Sequence, residues 1–380
     1  MGRMTDPVRD ALVALAHCVE PGDAAVGRLL DVAGPVELVD RVRMGRTGLR
    51  HGEGLLARLA AAQSTAADDR AARCDSRIVT RADREWPSQL DALGPVAPLA
   101  LWVRGAADLR LLALRSVSVV GARACTAYGE EVARTWSAEL ASDSWTVLSG
   151  AAFGIDAAAH RGAMLAGGST VAVLAGGVDV PYPRAHTALL ARIVEEGAVV
   201  SETPPGEAVR RQRFLSRNRV IAALGRATLV VEAADRSGTT ATARAANAMN
   251  RPVLAVPGPI TSAASAGCHR MIREGVASLV GDVPDLLEML DLTHGGRRAA
   301  DDGAAGREAS ARDRDALPAR ERVVLDAFPV RGIMGLDALT RSAGLSYGDV
   351  LAGLGVLTSG AWVIEDSGGW RLARGPRPRA

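Results

Sequence analysis

An α/β architecture, with a parallel sheet between layers of helices, is what the middle of this 380-residue chain predicts. Short apolar runs recur from Ser116 onward (SVSVV, TVLSG, TVAVLAGG, AVVSE, TLVVEA, PVLAVPG), and helical stretches follow most of them. Runs of that length and β-branched content suit strands buried on both faces, and their alternation with helices is the pattern of a parallel sheet. A third observation locates a ligand edge. Glycine and polar residues cluster immediately after the strands, at Gly121-Ala122-Arg123, Ser149 to Asp156, Gly176-Gly177, Ser201-Glu202, Ser237-Gly238-Thr239 and Pro257-Gly258. In an open parallel sheet these loops lie together beyond the carboxyl ends of the strands, where ligands bind. One site lined by several loops is expected.

On either side of this core the pattern changes. Residues 1–75 read as a helical domain of the SAM or helix-hairpin-helix kind: ALVALAHCVE, then Pro21-Gly22-Asp23 before AAVGRLLDVAG, then Pro35 before VELVDRVR. Residues 76–290 read as the Rossmann-like α/β domain. Residues 291–317 lack apolar residues at any structural period and read as a disordered linker. Residues 318–373 give three short helices, LPARERVVLDAF, GLDALTRSAG and SYGDVLAGLGVLTSG, and a hairpin, AWVIEDSGGWRLA, which together describe a winged-helix module. Its last helix carries Asp349 and no arginine, so protein contact or packing suits it better than reading DNA.

Composition excludes several chemistries. The formal charge is +2 and the pI near 8.5, so a basic footprint has to be local. The chain contains no lysine, and every basic side chain other than histidine is arginine. A Walker P-loop and Schiff-base or pyridoxal-phosphate catalysis are therefore ruled out. Cys18, Cys74, Cys125 and Cys268 are scattered without metal-ligand spacing and read as reduced thiols. No apolar run approaches the length of a membrane helix, no signal peptide is discernible, and a soluble, cytoplasmic protein without membrane contact is expected. No metal, cofactor or catalytic residue is anticipated.

The first glycine turn, VVGARACTAYG, follows a strand and opens a helix, so the backbone at Gly121 could approach an anion beside Arg123. It is not GxGxxG, and the next strand ends in Ser149-Gly150 instead of the acidic residue that grips a nicotinamide ribose, which disfavours NAD. The second loop, SGAAFGIDAAAH, places Gly150 and Gly154 before Asp156 at a helix-capping position, with His160 one turn on. Capping and helix pairing suit Asp156 and His160 better than acid–base catalysis. The most specific segment is PPGEAVRRQRFLSRNRVIAALG. Arg210, Arg211, Arg213, Arg217 and Arg219 surround Phe214, one of three phenylalanines, while Val220, Ile221 and Leu224 anchor the helix to the core. Arginine interleaved with an aromatic ring is what phosphate neutralisation and base stacking require on a single strand, although such a run can also be a solvated face. The fourth loop, EAADRSGTTATARAA, offers Ser237, Gly238, Thr239 and Thr240 as hydroxyl and N–H donors at a helix start, suited to capping, to phosphate, or to both.

These motifs resemble the DprA/Smf family, the DNA-processing proteins of bacterial transformation. The likeness runs in order from Trp86-Pro87 through GAR, SGAAFGID with AAAH, VAVLAGGVDVPYP, SETPPG, RFLSRNRVIAALG, VVEA with SGTTATA, and RPVLAVPG to GCHRMIREGVASLV. It implies an extended Rossmann fold that binds single-stranded DNA, forms a homodimer and delivers the strand to the RecA recombinase. By position, Arg123, the loop from Gly150 to Asp156, Arg211, Phe214, Arg217, Asn218 and Arg219 would form the DNA cleft. Gly267, Cys268, His269 and Ile272 would form the dimer interface. The chain departs from the family in offering only arginine where lysine is common, and in placing Phe153 where a longer polar residue is usual. Two rival readings share the fold. A nucleoside-monophosphate phosphoribohydrolase would need the glutamate of PGGxGTxxE, where this chain has Thr242. The other is a sensor of a small nucleotide in the same cleft.

Overall fold

The computed structural model describes residues 6–49, 51–62, 71–235, 237–293, 317–329, 333–359, 362–366 and 368–372. The linker anticipated at 291–317 lies almost wholly outside them. The chain divides into two compact units, Met1–Gly296 and Arg297–Ala380.

The first unit begins with helices α1 (Pro7–Cys18), α2 (Ala24–Ala33), α3 (Pro35–Arg43) and α4 (Gly52–Ala62). Local chemistry sets their starts. Asp6 and Asp23 cap α1 and α2 by accepting backbone N–H groups at 2.9–3.3 Å, and Pro35 fills the first turn of α3, where no N–H partner is needed. Leu12, Leu15, Leu30, Leu38, Leu55 and Leu59 close a small core between them.

Beyond these helices come β1 (Ser76–Thr80), β2 (Ala100–Arg104), α5 (Leu109–Leu114), β3 (Ser116–Val120), α6 (Ala127–Ser142), β4 (Thr146–Ser149), α7 (Ile155–Leu165) and β5 (Thr170–Leu174). They are followed by α8 (Thr187–Glu196), β6 (Ala198–Ser201), α9 (Arg211–Leu224), β7 (Ala227–Val230), α10 (Thr239–Ala248), β8 (Val253–Ala255), α11 (Ala266–Arg273), β9 (Ser278–Leu279) and α12 (Val283–Thr293). The sheet has nine strands in the order β1-β2-β6-β5-β4-β3-β7-β8-β9. It is parallel from β6 to β9, with β2 antiparallel to β6 and β1 antiparallel to β2. The six apolar runs are β3 to β8, as the sequence predicts. β1, β2 and β9 went unread: SRIVT and ALWVR each carry arginine, and β9 is two exposed residues at the sheet edge.

Both faces of the central strands are covered. In β3, Val117 and Val119 pack with Ala133 and Leu140 of α6 and Ile155 of α7. Val120 turns to the other face, against Val220, Ile221 and Leu224 of α9. Ser118, also on that face, donates its hydroxyl to the Ile221 carbonyl at 2.7 Å, so a buried polar group is satisfied by the helix that covers it.

The second unit holds α13 (Ala319–Asp326), α14 (Leu336–Ala343), α15 (Tyr347–Ser359) and an antiparallel hairpin of β10 (Val363–Asp366) with β11 (Gly369–Leu372). Val324, Leu339, Val350, Leu354 and Leu357 form its core. Among the described residues no helix is long and apolar enough to cross a membrane.

Candidate nucleic-acid interface

Strand order reverses at β3, whose neighbours are β4 on one side and β7 on the other. Loops leaving strands at such a point diverge and open a crevice at the carboxyl edge of the sheet. A cleft of about 660 Å³ lies here. Gly121, Ala122 and Arg123 line it after β3, Ala152 and Asp156 from the turn after β4, and Tyr182 from the loop after β5. The start of α9 contributes Arg210, Arg211, Phe214, Arg217 and Asn218, and the start of α10 contributes Ser237, Gly238, Thr239 and Thr242.

Arg123, Arg210 and Arg211 are exposed to solvent. The Arg123 guanidinium lies 4.9 Å over the Phe214 ring, and Tyr182 meets the same ring at 5.5 Å with an interplanar angle of 60°. Gly238 occupies the cap position of α10 with no side-chain cap, so the positive end of the helix dipole opens onto the cleft. Asn218 ties α9 to this point by donating to the Gly238 carbonyl at 3.4 Å. These groups converge from loops that the sequence places far apart.

Gly150 and Gly154 support the cleft without lining it. A β-carbon at Gly150 would overlap the Arg217 guanidinium. Gly154 has φ +74°, and a β-carbon there would collide with the carbonyls of Ala122 and Arg123. The two glycines let the β4–α7 turn close on the β3 turn. Gly154, not Asp156, holds the cap position of α7. Asp156 lies inside the first turn, 6% exposed, and accepts the Ala152 N–H at 3.3 Å, so its carboxylate organises the loop.

Arg217 is the floor of the cleft. It is 7% exposed, its Nη1 donates to the Val173 carbonyl at 3.1 Å, and its Nε has no protein partner. Burial holds its pKa below the ordinary arginine value, with the nearby Asp156 charge opposing that shift. Burial likewise raises the Asp156 carboxyl, against the pull of Arg217. His160 does not pair with Asp156. Its Nδ1 lies 2.7 Å from the Thr170 hydroxyl in the core, and burial, reinforced by the charges of His186 and Arg217, pushes its pKa down to about 3. Among the described residues no group of three or more His, Cys, Asp or Glu is placed to hold a metal ion.

Residues 77–291, which supply the whole cleft, match the family model of DNA recombination-mediator protein A. The chain belongs to that family. A putative DNA processing protein DprA of Mycobacterium tuberculosis is 43% identical over 98% of this chain and 96% of its own length. Protein Smf of Escherichia coli is 37% identical over 77% of each chain. The X-ray structure of DNA processing protein A from Streptococcus pneumoniae superposes with a TM-score of 0.64 at 30% identity, covering 75% of this chain and 98% of that one. DNA processing protein A from Helicobacter pylori, whose structure was described for its single-stranded DNA binding mode, shares the fold with a TM-score of 0.51 at 24% identity, over 58% of this chain and 98% of that one.

Within this recombination-mediator fold two groups of anticipated residues need correction. Arg219 does not enter the cleft. It sits two positions after Arg217, on another face of α9, and donates from Nη1 and Nη2 to the two Glu202 oxygens, each at 2.8 Å. Both side chains are nearly buried, and the guanidinium packs under Gly22 of the N-terminal helices. Arg213 turns the same way: its guanidinium reaches Glu20 at 3.1 Å and Glu207 at 3.2 Å. Arg210 lines the cleft rim and also reaches Glu20 at 3.3 Å. The hydrogen bond from Arg213 holds the Glu20 carboxyl below its ordinary value.

The second correction concerns α11. Gly267 and Cys268 are buried within the chain, so the surface of this segment comes from His269 and Ile272. The Gly267 N–H donates to the Ala233 carbonyl at 2.7 Å, and a β-carbon there would meet that carbonyl. His269 Nε2 lies 3.0 Å from the Gly258 carbonyl, and Ile272, half-buried, packs on the core.

The sequence reading also missed residues that build the site. Glu232, 1% exposed after β7, accepts the Thr126 N–H at 2.9 Å and the Thr126 hydroxyl at 2.5 Å. Thr126 in turn caps α6, so Glu232 fixes the β3 turn that carries Arg123. An acidic residue at the end of a central parallel strand was the available signal. Tyr182 stood in the PYP motif with no role assigned.

Proposed function

We propose that this protein binds single-stranded DNA along the carboxyl edge of its sheet, without catalysis, as a mediator of DNA uptake and recombination. The observation that carries this reading is the cleft where strand order reverses. There the exposed Arg123 lies over the Phe214 ring, the exposed Arg211 lines the same cleft, and the uncapped start of α10 adds the hydroxyls of Ser237 and Thr239. Arginines and helix N-termini neutralise phosphates, and rings take the faces of unpaired bases, which a duplex keeps stacked. Membership of the recombination-mediator family supports the same substrate.

Delivery of the strand to a RecA recombinase, work in the cytoplasm, a winged-helix role for the second unit and pairing of two copies through α11 complete the proposal. On the α11 surface, His269 and Ile272 are the partly exposed candidates for a homodimer contact. His269→Ala with Ile272→Arg gives monomers by light scattering, and an unchanged mass removes α11 from the interface. The non-catalytic reading rests on the absence of lysine from the chain and on Thr242, which lines the cleft where a phosphoribohydrolase would carry glutamate.

A cleft of about 660 Å³ also falls within the usual size of small-molecule pockets, so a mononucleotide is the competitor to test. Titration with a thymidine oligonucleotide and with a mononucleotide separates the two. Oligonucleotide binding that weakens with salt, with duplex weaker, supports the proposal. Tight mononucleotide binding without an oligonucleotide response overturns it.

A further inference from the structure

We infer that Phe153 and Tyr182 form a stacking platform for unpaired bases, which carries the strand out of the cleft and over the loops that follow β4 and β5. The inference rests on the single-strand reading above and adds the residues that grip the bases.

Aromatic side chains are scarce in this protein, with three Phe, three Tyr and six Trp in 380 residues. Two of the three Phe and one Tyr nevertheless gather at one edge of one sheet. Phe153 is 49% exposed and Tyr182 47% exposed. Phe214 is less available than its sequence position suggests, because the Arg123 guanidinium lies over its ring and Tyr182 packs against it. Open aromatic surface therefore lies on Tyr182, which lines the cleft, and on Phe153, which lies outside its lining.

Both rings are braced. Tyr182 rests against Phe214 at 5.5 Å, and Phe153 against His186 at 4.8 Å with an interplanar angle of 68°. His186 is itself buried, with Nδ1 2.9 Å from the Ala151 carbonyl of the loop that carries Phe153. Edge-to-face bracing fixes a ring while leaving surface free. Rings held in place before binding lose little conformational entropy when a base arrives. The turn is held as well: Gly154, at φ +74°, abuts the carbonyls of Ala122 and Arg123 and so keeps Phe153 beside the Arg123 loop.

Charge identifies the occupant. Arg123 and Arg211 at the cleft, and Arg184 two residues beyond Tyr182, are exposed, so the aromatic surface is accompanied by guanidinium groups. Apolar faces beside phosphate-binding cations fit a strand of unpaired nucleotides better than an apolar protein surface.

The test compares Phe153→Leu and Tyr182→Leu, which keep apolar bulk and remove the ring, with Phe153→Trp, which restores one. Each is titrated with a thymidine oligonucleotide and with an abasic strand of the same length, across a salt series. Each leucine variant should bind the thymidine strand about tenfold more weakly with an unchanged salt slope. Phe153→Trp should bind as the wild type does, and all variants should bind the abasic strand equally. The inference is overturned if wild type binds the thymidine strand and both leucine variants match it, or if they lose as much on the abasic strand. The first outcome leaves the surface to a protein partner or a second copy. The second makes the rings supports for the arginines. A wild type that binds no oligonucleotide overturns the single-strand reading itself, and this inference with it.

Discussion

Along α9, Arg211 points into the cleft and is solvated, while Arg213 and Arg219, within eight residues of it, turn toward the N-terminal helices and are held by Glu20, Glu207 and Glu202. Arg217, between them in sequence, is buried beneath the cleft. The same residue type thus meets three environments within little more than two turns of helix. A free guanidinium is available to a phosphate, a paired one fastens two parts of the fold, and a buried one supports the floor. An arginine-rich run measures how much positive charge a segment carries, not how much of it a ligand can reach.

The largest effect is expected at the floor. Arg217→Ala leaves the buried Asp156 without its opposing charge and should lower stability by about 3 kcal/mol in urea titration. Asp156→Asn in the same chain should recover part of that loss. Additive losses would mean that the two charges do not interact.

On the opposite side, Arg219→Ala breaks a nearly buried pair and should cost about 2 kcal/mol of stability, leaving the salt slope of DNA binding unchanged. A flatter slope would return Arg219 to the strand. At the cleft, Arg211→Ala should leave stability within about 0.5 kcal/mol of wild type and flatten the log-affinity against log-salt slope by roughly 0.7. Equal slopes for these two variants would erase the distinction between the faces.

Acid separates the buried His160 from the paired side of α9 by pH window. His160 is neutral in both states above its ordinary value of 6.5. As pH falls from there toward about 3 the unfolded chain takes up a proton that the folded protein refuses, so stability falls through this window. His160→Gln should remove that part of the decline in thermal melts. Glu20 behaves differently. Its folded pKa lies below 4.5, so its contribution is present above that pH and is lost only as pH falls through the lowered value. Glu20→Gln should blunt this later, smaller loss and leave the earlier one intact.

Legibility in the sequence followed the range of the interactions. Strands β3 to β8 could be read because burial on both faces demands continuous apolar runs, which SVSVV and TVAVL supply. The cleft could be placed because residues after parallel strands must share an edge. The direction of each arginine could not be read, since the partner of Arg213 lies 193 residues away at Glu20. The role of Gly150 was hidden for the same reason: the guanidinium it makes room for comes from α9. Tyr182 and Glu232 act through contacts that no local period records.

The reversal of strand order at β3 also has a consequence for synthesis. β3 is central in the finished sheet, yet β7, its partner on one side, begins only at Ala227, over a hundred residues later. A nascent chain that has released β3 to β6 carries one bare edge along Val117 and Val119, and an unpaired apolar strand is a template for association with another chain. Ser237 to Thr239, which complete the cleft, follow directly on the strand that closes that edge. A growing chain therefore covers its exposed strand and completes its cleft in the same short interval of translation.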